Sequence, residues 1–362
     1  MSQQWIGKPV AELDTPALVV DIDKMERNIA TIAGTLRQLG VAWRPHVKCH
    51  KSPAIARRLI EAGAVGITCA KLGEAEVMAD AGINNILIAN QVVGPAKMAR
   101  LMALRRRIDV MVAVDDAAQV AELGAAARRA GLKQPVLVEV DIGQNRCGVA
   151  PGQEAVHLGR RVHETEGLAF RGLMAWEGHV MIFDDADRIA RESEAAVRRL
   201  VETAETCLSA GLPVEVISAG GTVNYWVSGR LGLTEVQAGG GVLMDAFYQK
   251  RGVPLEPSLT ILATVVSRKP ERAIVDGGFK TFGSPLAPPL PLMEGVTAFE
   301  FMTAEHGTLH LARPDVPLKI GDKVSFLVGY VDAVAFLHDR LFACRDGRVT
   351  EVWEIAARGK LQ

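Results

Sequence analysis

Eight short apolar runs, each about as long as a β-strand, alternate with segments of helical periodicity between residues 41 and 238. The runs occupy residues 41–47, 66–70, 86–89, 108–114, 136–140, 168–175, 214–218 and 235–238. Helical spacing of apolar residues marks the segments 53–62, 73–81, 95–106, 117–130, 153–166 and 186–210 between them. Strand–helix alternation is typical of βαβ units, and eight parallel strands close a barrel. The sequence therefore predicts an α/β fold with a (β/α)8 TIM-type barrel.

The pattern changes to short β-rich runs beyond residue 255, at 261–267, 272–275 and 323–328, with a hairpin signal at Asp346-Gly347. A length of 362 residues suits two domains. We predict a barrel domain over residues 15–255 and a C-terminal all-β domain over 256–362, with residues 1–14 packed on the β domain. A helix is expected from Asp23, which together with Glu26 resembles a capping box.

The charge balance argues against polyanionic partners. Lys and Arg number 41 against 42 Asp and Glu, so no overall field attracts nucleic acid or an anionic membrane surface. Apolar runs are too short for a membrane helix, and no secretory signal opens the chain. Five cysteines without a CxxC pair indicate reduced thiols. We expect a cytoplasmic protein with no nucleic-acid or membrane partner.

Polar clusters follow the apolar runs where strands of a parallel barrel would end, which is the mouth where barrel enzymes carry their chemistry. Two of these clusters are rich in glycine: Gly220, Gly221 and Thr222 after the seventh run, and Gly239 and Gly240 after the eighth. Glycine lets the backbone approach an anion and leaves N–H groups to donate, although either turn alone could be a simple tight turn. Together they predict a phosphate site, with N–H donors from Gly221 and Gly240.

Lys48 ends the first run and is flanked by His46, His50 and Lys51. Desolvation and cationic neighbours lower the pKa of a lysine and favour a Schiff-base nucleophile, whereas the alternative is a lysine at a strand end that reaches into water. A lysine imine beside a phosphate cradle indicates pyridoxal 5'-phosphate (PLP).

Several motifs resemble the fold-type III PLP enzymes of the D-threonine aldolase, D-3-hydroxyaspartate aldolase and eukaryotic-type D-serine dehydratase family. They are the segments 14–18 (DTPAL), 44–51 (RPHVKCHK), 66–71 (GITCAK), 143–149 (GQNRCGV), 304–307 (AEHG) and 337–339 (LHD). The resemblance implies an alanine-racemase-like barrel completed by the β domain, often in a homodimer. It also implies that Lys48 holds PLP, that Arg146 lies near the cofactor ring, and that the two glycine turns bind its phosphate.

Two positions depart from the family pattern. The resemblance implies a divalent metal (Mn, Mg or Zn) on a His-x-Asp or His-x-Cys pair, but the matching residues are Tyr330 and Asp332, so a metal on Asp332 is less assured. In the turn after the sixth run, Trp176, Glu177 and His179 replace the usual residues. Trp176 is interpreted as a wall of the substrate pocket. His179 is interpreted as a catalytic base, a donor that binds the substrate carboxylate, or a structural histidine.

The resemblance implies a lyase acting on small D-β-hydroxy amino acids, either as an aldolase that gives glycine and an aldehyde or as a dehydratase that gives a keto acid and ammonia. The alternative is a two-base amino-acid racemase that uses Lys48 and Tyr330. A non-catalytic PLP-binding protein is a third hypothesis, which the additional β domain disfavours.

Overall fold

The computed structural model describes residues 2–283, 286–301 and 303–362. Its strands, numbered in chain order, are β1 Ala17–Asp21, β2 Ala42–Trp43, β3 Ile67–Cys69, β4 Asn85–Gln91, β5 Asp109–Val114, β6 Gln134–Glu139, β7 Leu168–Met174, β8 Val216–Ala219, β9 Glu235–Val236, β10 Leu259–Lys269, β11 Arg272–Val275, β12 Leu290–Pro291, β13 Val296–Phe301, β14 Gly307–Leu311, β15 Lys323–Leu327, β16 Arg340–Arg345 and β17 Arg348–Glu354.

The α-helices are α1 Ile22–Gln38, α2 Pro53–Glu61, α3 Leu72–Asp80, α4 Pro95–Arg105, α5 Ala117–Ala130, α6 Gln153–Glu164, α7 Ala186–Ser209, α8 Tyr225–Ser228, α9 Ala246–Lys250 and α10 Phe279–Phe282. In the part of the chain that the structure describes, none of them combines the length and the apolar character needed to cross a membrane.

Strands β2 to β9 form one parallel sheet in the order β2-β9-β8-β7-β6-β5-β4-β3. A parallel bridge between His46 and Thr68 joins the two ends of this order and closes the ring. Each of the eight predicted apolar runs overlaps one of these strands. The predicted alanine-racemase-like barrel is thereby confirmed as the arrangement of this sheet.

Barrel strands are apolar on both faces because helices cover the outside and side chains fill the inside. All six residues of β6 are buried, and a core cluster joins Leu87, Met111, Leu137 and Met174 from four consecutive strands. The runs therefore read as continuous apolar segments rather than as alternating ones.

A buried polar cluster lies at the starts of the barrel strands. The Arg44 Nε atom is 2.7 Å from Glu235 Oε2, and its Nη1 donates to Asn85 Oδ1 at 2.6 Å. A Cβ on Gly66 would overlap this guanidinium, so glycine is required there. Pairing offsets the cost of burying Arg44, which makes Glu235 a structural carboxylate.

The other sheet belongs to a second compact unit and has the order β13-β14-β11-β10-β1-β16-β17, with β15 paired to β10 and β12. The β1 strand lies between antiparallel β10 and parallel β16. Near the N-terminus, Gly7 and Val10 donate backbone N–H groups to Val349 and Gly347.

The two compact units comprise residues up to 30, 49–54 and 240–359, and residues 31–48, 55–239 and 360–362. We call the first the β unit and the second the barrel unit. The assignment of independent domains at residues 15–255 and 256–362 stays a prediction.

The start of α1 differs from the sequence interpretation. Lys24 donates its backbone N–H to Asp21 Oδ1 at 3.1 Å, and the helix already begins at Ile22. Asp21 therefore provides the capping oxygen, and Asp23 lies within the first turn, where a negative charge is favourable.

Candidate active site

Lys48 lies in a single 3-10 turn, Val47–Cys49, that follows the first barrel strand. Its backbone N–H donates to the Nδ1 atom of His46 at 3.3 Å, and both residues are half-buried. The turn carries the lysine at the carboxyl end of a parallel strand, where barrel enzymes place reactive groups.

The indole of Trp176 brings two of the predicted site residues together. Lys48 Nζ lies 5.3 Å from the centre of the ring, and Arg146 Cζ lies 5.2 Å from it. Such distances give cation–π attraction, which orients both cations. Trp176 therefore organises the positive charge at the barrel mouth, a role that the interpretation as a pocket wall did not include.

Arg146 also approaches a buried carboxyl group. Its Nη2 atom is 3.4 Å from Glu139 Oε1, while Glu139 Oε2 accepts a hydrogen bond from Gln91 Nε2 at 2.5 Å. Burial raises the pKa of Glu139, and the bonds from Gln91 and Arg146 act in the opposite direction. The guanidinium remains half-exposed, so it can contact a ligand.

Gly221 lies beside Trp176, and neither its neighbours nor its backbone angle requires a glycine. A Cβ on Gly221 would meet nothing closer than Trp176 Nε1 at 3.7 Å and Asn224 Oδ1 at 4.0 Å, and its φ is not in the left-handed region. By contrast, Gly220 has φ +81° and fits closely against Val236 and Ser228. The small space beside Gly221 is therefore a cradle that a side chain would fill.

A buried carboxyl group, Glu177, supports this glycine turn. Its oxygens accept hydrogen bonds from Gly220 N (3.3 Å), Asn224 Nδ2 (2.6 Å) and Ser228 Oγ (3.2 Å). Asn224 Oδ1 in turn accepts the N–H of Gly221 at 2.8 Å. Burial raises the pKa of Glu177.

No local sequence pattern predicts this role for Glu177. A glutamate after an apolar run, with Asn224 and Ser228 four residues apart downstream, was the available signal. The bond between Gly221 and Asn224 also means that Gly221 contributes space at the turn, whereas the sequence analysis expected its N–H to face the phosphate.

The turn after the eighth strand contains two glycines that the protein itself requires. A Cβ on Gly239 would overlap the backbone of His46, and one on Gly240 would lie 2.9 Å from the Tyr248 ring. Among the described residues, the N–H groups of these two glycines donate to no acceptor. Both are buried, so an anionic acceptor would compensate the cost of leaving them unpaired.

His179 packs against the tight turn that contains Gly143. A Cβ on Gly143 would lie 2.9 Å from His179 Cε1, so the imidazole lies directly on that backbone. Its Nδ1 atom is buried and has no hydrogen-bond partner among the described residues. The residue as a whole is half-buried, which leaves the ring partly accessible for proton transfer.

Tyr330 and Asp332, the two positions of the expected metal pair, lie in the β unit among aromatic rings. Phe247 and Tyr248 have ring centres 5.0 and 6.1 Å from that of Tyr330. Burial and the carboxylates of Asp332 and Asp245 raise the pKa of Tyr330. A raised pKa keeps the phenol protonated, so Tyr330 is neutral.

These residues do not fit a divalent metal. A neutral phenol is a poor ligand, and within residues 2–283, 286–301 and 303–362 no group of three or more His, Cys, Asp or Glu side chains could hold an ion. The predicted assignment of a metal to Asp332 therefore has no supporting donor set among the described residues.

Comparisons with known proteins agree with this architecture. The family model of the alanine racemase N-terminal domain matches residues 20–246, and a serine dehydratase domain model matches residues 258–344. The chain is 36% identical to a D-threonine aldolase from an Arthrobacter species, over 98% of this chain and 95% of that protein. It is 33% identical to a 3-hydroxy-D-aspartate aldolase from Paracoccus denitrificans, over 98% and 94%.

Among solved structures, the D-threonine aldolase from Filomicrobium marinum superposes with a TM-score of 0.95 at 38% identity. The match covers 99% of this chain and 98% of that one. Fold and sequence therefore lead to one conclusion, which confirms the predicted resemblance: the chain belongs to the family of D-threonine aldolases and D-3-hydroxyaspartate aldolases and dehydratases.

Proposed function

We propose that the protein is a PLP-dependent lyase that cleaves small D-β-hydroxy amino acids to glycine and an aldehyde. The proposal rests on the environment of Trp176. Lys48, Arg146 and the cradle at Gly221 all border its indole ring. An amine, a cation and an open glycine turn are the groups that PLP needs for its carbonyl carbon, its ring and its phosphate.

Each residue has a defined part in this proposal. Lys48 provides the amine that holds the cofactor, and the same amine can carry a proton to and from the substrate. Arg146 faces the cofactor ring. Space at Gly221, the neighbouring Thr222 and the N–H group of Gly239 receive the phosphate.

When bound, PLP draws electrons from a bond at the substrate Cα and so weakens it. Cleavage between Cα and Cβ also requires a base for the proton of the β-hydroxyl group. We assign this role to His179, because an imidazole nitrogen can accept a proton and this ring lies at the barrel mouth against Gly143.

The racemase alternative is weaker because of the state of Tyr330. A two-base racemase needs a phenol that readily loses its proton, which requires a cationic neighbour. Tyr330 has carboxylates as neighbours, and they raise its pKa together with burial. The residue is therefore unsuited to remove a Cα proton near neutral pH.

A dehydratase is the second candidate, supported by the serine dehydratase domain model that matches residues 258–344. In that reaction Lys48 would take the Cα proton and the β-hydroxyl group would leave as water. Hydrolysis of the released enamine by water then gives a keto acid and ammonia. The two reactions share substrate and cofactor, and their products distinguish them.

We further propose a cytoplasmic homodimer. The five cysteines lie within the described residues and form no disulfide there, as expected for a reducing compartment. In the β unit, the apolar side chains of Phe279, Leu286 and Leu292 are 53%, 69% and 58% exposed, and contact with a second copy would remove this apolar area from water.

Borohydride reduction of the purified holoenzyme, followed by peptide mapping, tests the cofactor assignment. We expect the pyridoxyl label on Lys48; a label on Lys51 or Lys71 would contradict it. Product analysis with D-threonine, D-3-hydroxyaspartate, D-serine and D-alanine, with and without EDTA, then tests the reaction. Glycine from D-threonine supports the aldolase, a keto acid supports the dehydratase, and L-alanine from D-alanine supports the racemase.

A further inference from the structure

We propose that Glu177 is a positioning residue that shapes the turn of Gly220, Gly221 and Thr222 for the cofactor phosphate. The inference rests on the proposed function, because it concerns how this chain prepares that site. Glu177 itself is 1% exposed and acts through its neighbours.

The contacts of Glu177 all lead to the chain segment that carries the turn. Gly220 bonds to it directly, and Asn224 connects it to the N–H of Gly221. One carboxyl group thus orients two consecutive peptide units of the turn. Ser193 Oγ bonds to Asn224 Nδ2 at 3.0 Å and anchors the network on α7.

Glu177 differs from a buried glutamate that forms a structural ion pair. Glu235 is also buried, but it pairs with Arg44. Among the described residues Glu177 forms no salt bridge, and the donors to its carboxyl group are an amide side chain, a hydroxyl and a backbone N–H. Burying an unpaired carboxyl is costly, and a gain elsewhere is expected to offset it. The hydrogen bonds of this network hold the peptide units of Gly220 and Gly221 in place, and the preformed turn is the gain in ligand binding that we infer.

Loss of the carboxyl should therefore act on phosphate binding. In Glu177→Ala, Asn224 and Ser228 lose their buried acceptor and the turn loosens. In Glu177→Gln, the amide oxygen can still accept from Asn224 and Ser228, and only the long bond from Gly220 is lost. The alanine variant should be strongly affected and the glutamine variant weakly.

The test compares PLP with pyridoxal, which lacks the phosphate. Each protein is stripped of cofactor, and its affinity for both ligands is measured by absorbance titration. We expect Glu177→Ala to weaken PLP binding at least about tenfold, the effect of losing about 1.4 kcal/mol, with pyridoxal binding unchanged. Glu177→Gln should stay within about threefold of the parent for both ligands. Asn224→Ala should show the same selective loss, and this variant decides the question if Glu177→Ala does not fold.

Glu235→Gln is the matched control, because it alters a buried carboxyl away from the turn. It should lower thermal stability without changing the ratio of the two affinities. If Glu177→Ala and Asn224→Ala weaken PLP and pyridoxal equally, or weaken neither, the inference is wrong while the proposed function stands. If the parent binds no PLP, the proposed function fails and the inference fails with it.

Discussion

Glycines near the cradle are present for two physical reasons, which can be separated residue by residue. Gly239 is needed because the backbone of His46 occupies the place of its Cβ. Gly221 has open space there and an ordinary backbone angle. A substitution at Gly239 should therefore damage the fold, and one at Gly221 should damage ligand binding.

We predict that Gly221→Val folds like the parent and loses PLP, with affinity reduced at least about tenfold, because its methyl groups fill the space assigned to phosphate. Gly239→Ala is the contrasting variant, and we expect it to lower the free energy of unfolding by about 1–3 kcal/mol through overpacking. Thermal unfolding and PLP titration measure the two effects. Unchanged PLP affinity in Gly221→Val would refute the cradle.

Tyr330 is where the chain departs from the metal pair expected for its family. We predict that Tyr330→His increases the affinity for Mn²⁺ or Zn²⁺, because it creates an imidazole two residues from Asp332. Metal content after dialysis and calorimetric titration measure the gain, and divalent ions should raise activity more in this variant than in the parent. Tyr330→Phe is the control without a ligand atom. Equally tight metal binding by the parent would show that our rejection of a metal is wrong.

At the scale of elements, helix caps rather than core contacts define several boundaries near the barrel mouth. The longest helix, α7, has 24 residues and follows the turn that carries Trp176, Glu177 and His179. Its N-cap is Asp185, whose side chain accepts the backbone N–H of Arg188 at 2.6 Å. The cap thus specifies where this turn ends and the helix begins.

Asp185→Ala should lower the free energy of unfolding by about 1 kcal/mol, because it leaves an N–H of the first helical turn without its acceptor. Asp185→Asn should retain most of the stability, since asparagine caps helices as well as aspartate does. Chemical denaturation of the parent and both variants measures the difference. Equal stability of the two variants would mean that the cap contributes nothing.

The whole molecule has a near-neutral net charge of −1, so we attribute the pH dependence of its stability to individual buried groups. Burial lowers the pKa of His50 to about 3 and raises that of Asp245 to about 7. His50 contributes stability above the pKa of an unfolded histidine, about 6.5, and loses it as the pH falls. Asp245 contributes stability below the pKa of an unfolded aspartate, about 3.9, and loses it as the pH rises through 7.

Between about pH 4 and 6.5 these two contributions cancel, because folding releases a proton from His50 and binds one at Asp245. We predict that His50→Gln makes stability fall with rising pH by about 1.4 kcal/mol per unit relative to the parent. Asp245→Asn should make it rise by a similar amount. Unfolding free energies at several pH values measure both slopes, and exposed His157→Gln should change neither. Slopes of the same sign in the two variants would contradict this account.

The sequence by itself determined the barrel strands, the helices between them, the position of Lys48 and the family. These features are readable because apolar periodicity, glycine turns and short motifs are local, and each depends on residues close together in the chain. The N-cap of α1 is an exception. The local pattern predicts Asp23, two residues after the observed cap Asp21, because either aspartate satisfies the local rule.

Only the tertiary structure decided how the candidate site is assembled. Glu177 meets Asn224 across 47 positions of the chain, and Trp176 meets both Lys48 and Arg146. The tertiary structure also distinguished Gly221, which has open space at its Cβ position, from Gly239, where the backbone of His46 occupies that position. Such contacts depend on which side chains packing brings together from distant segments, and no local pattern records that. For the same reason the neutral state of Tyr330 followed from its burial and its carboxylate neighbours and not from its place in a motif.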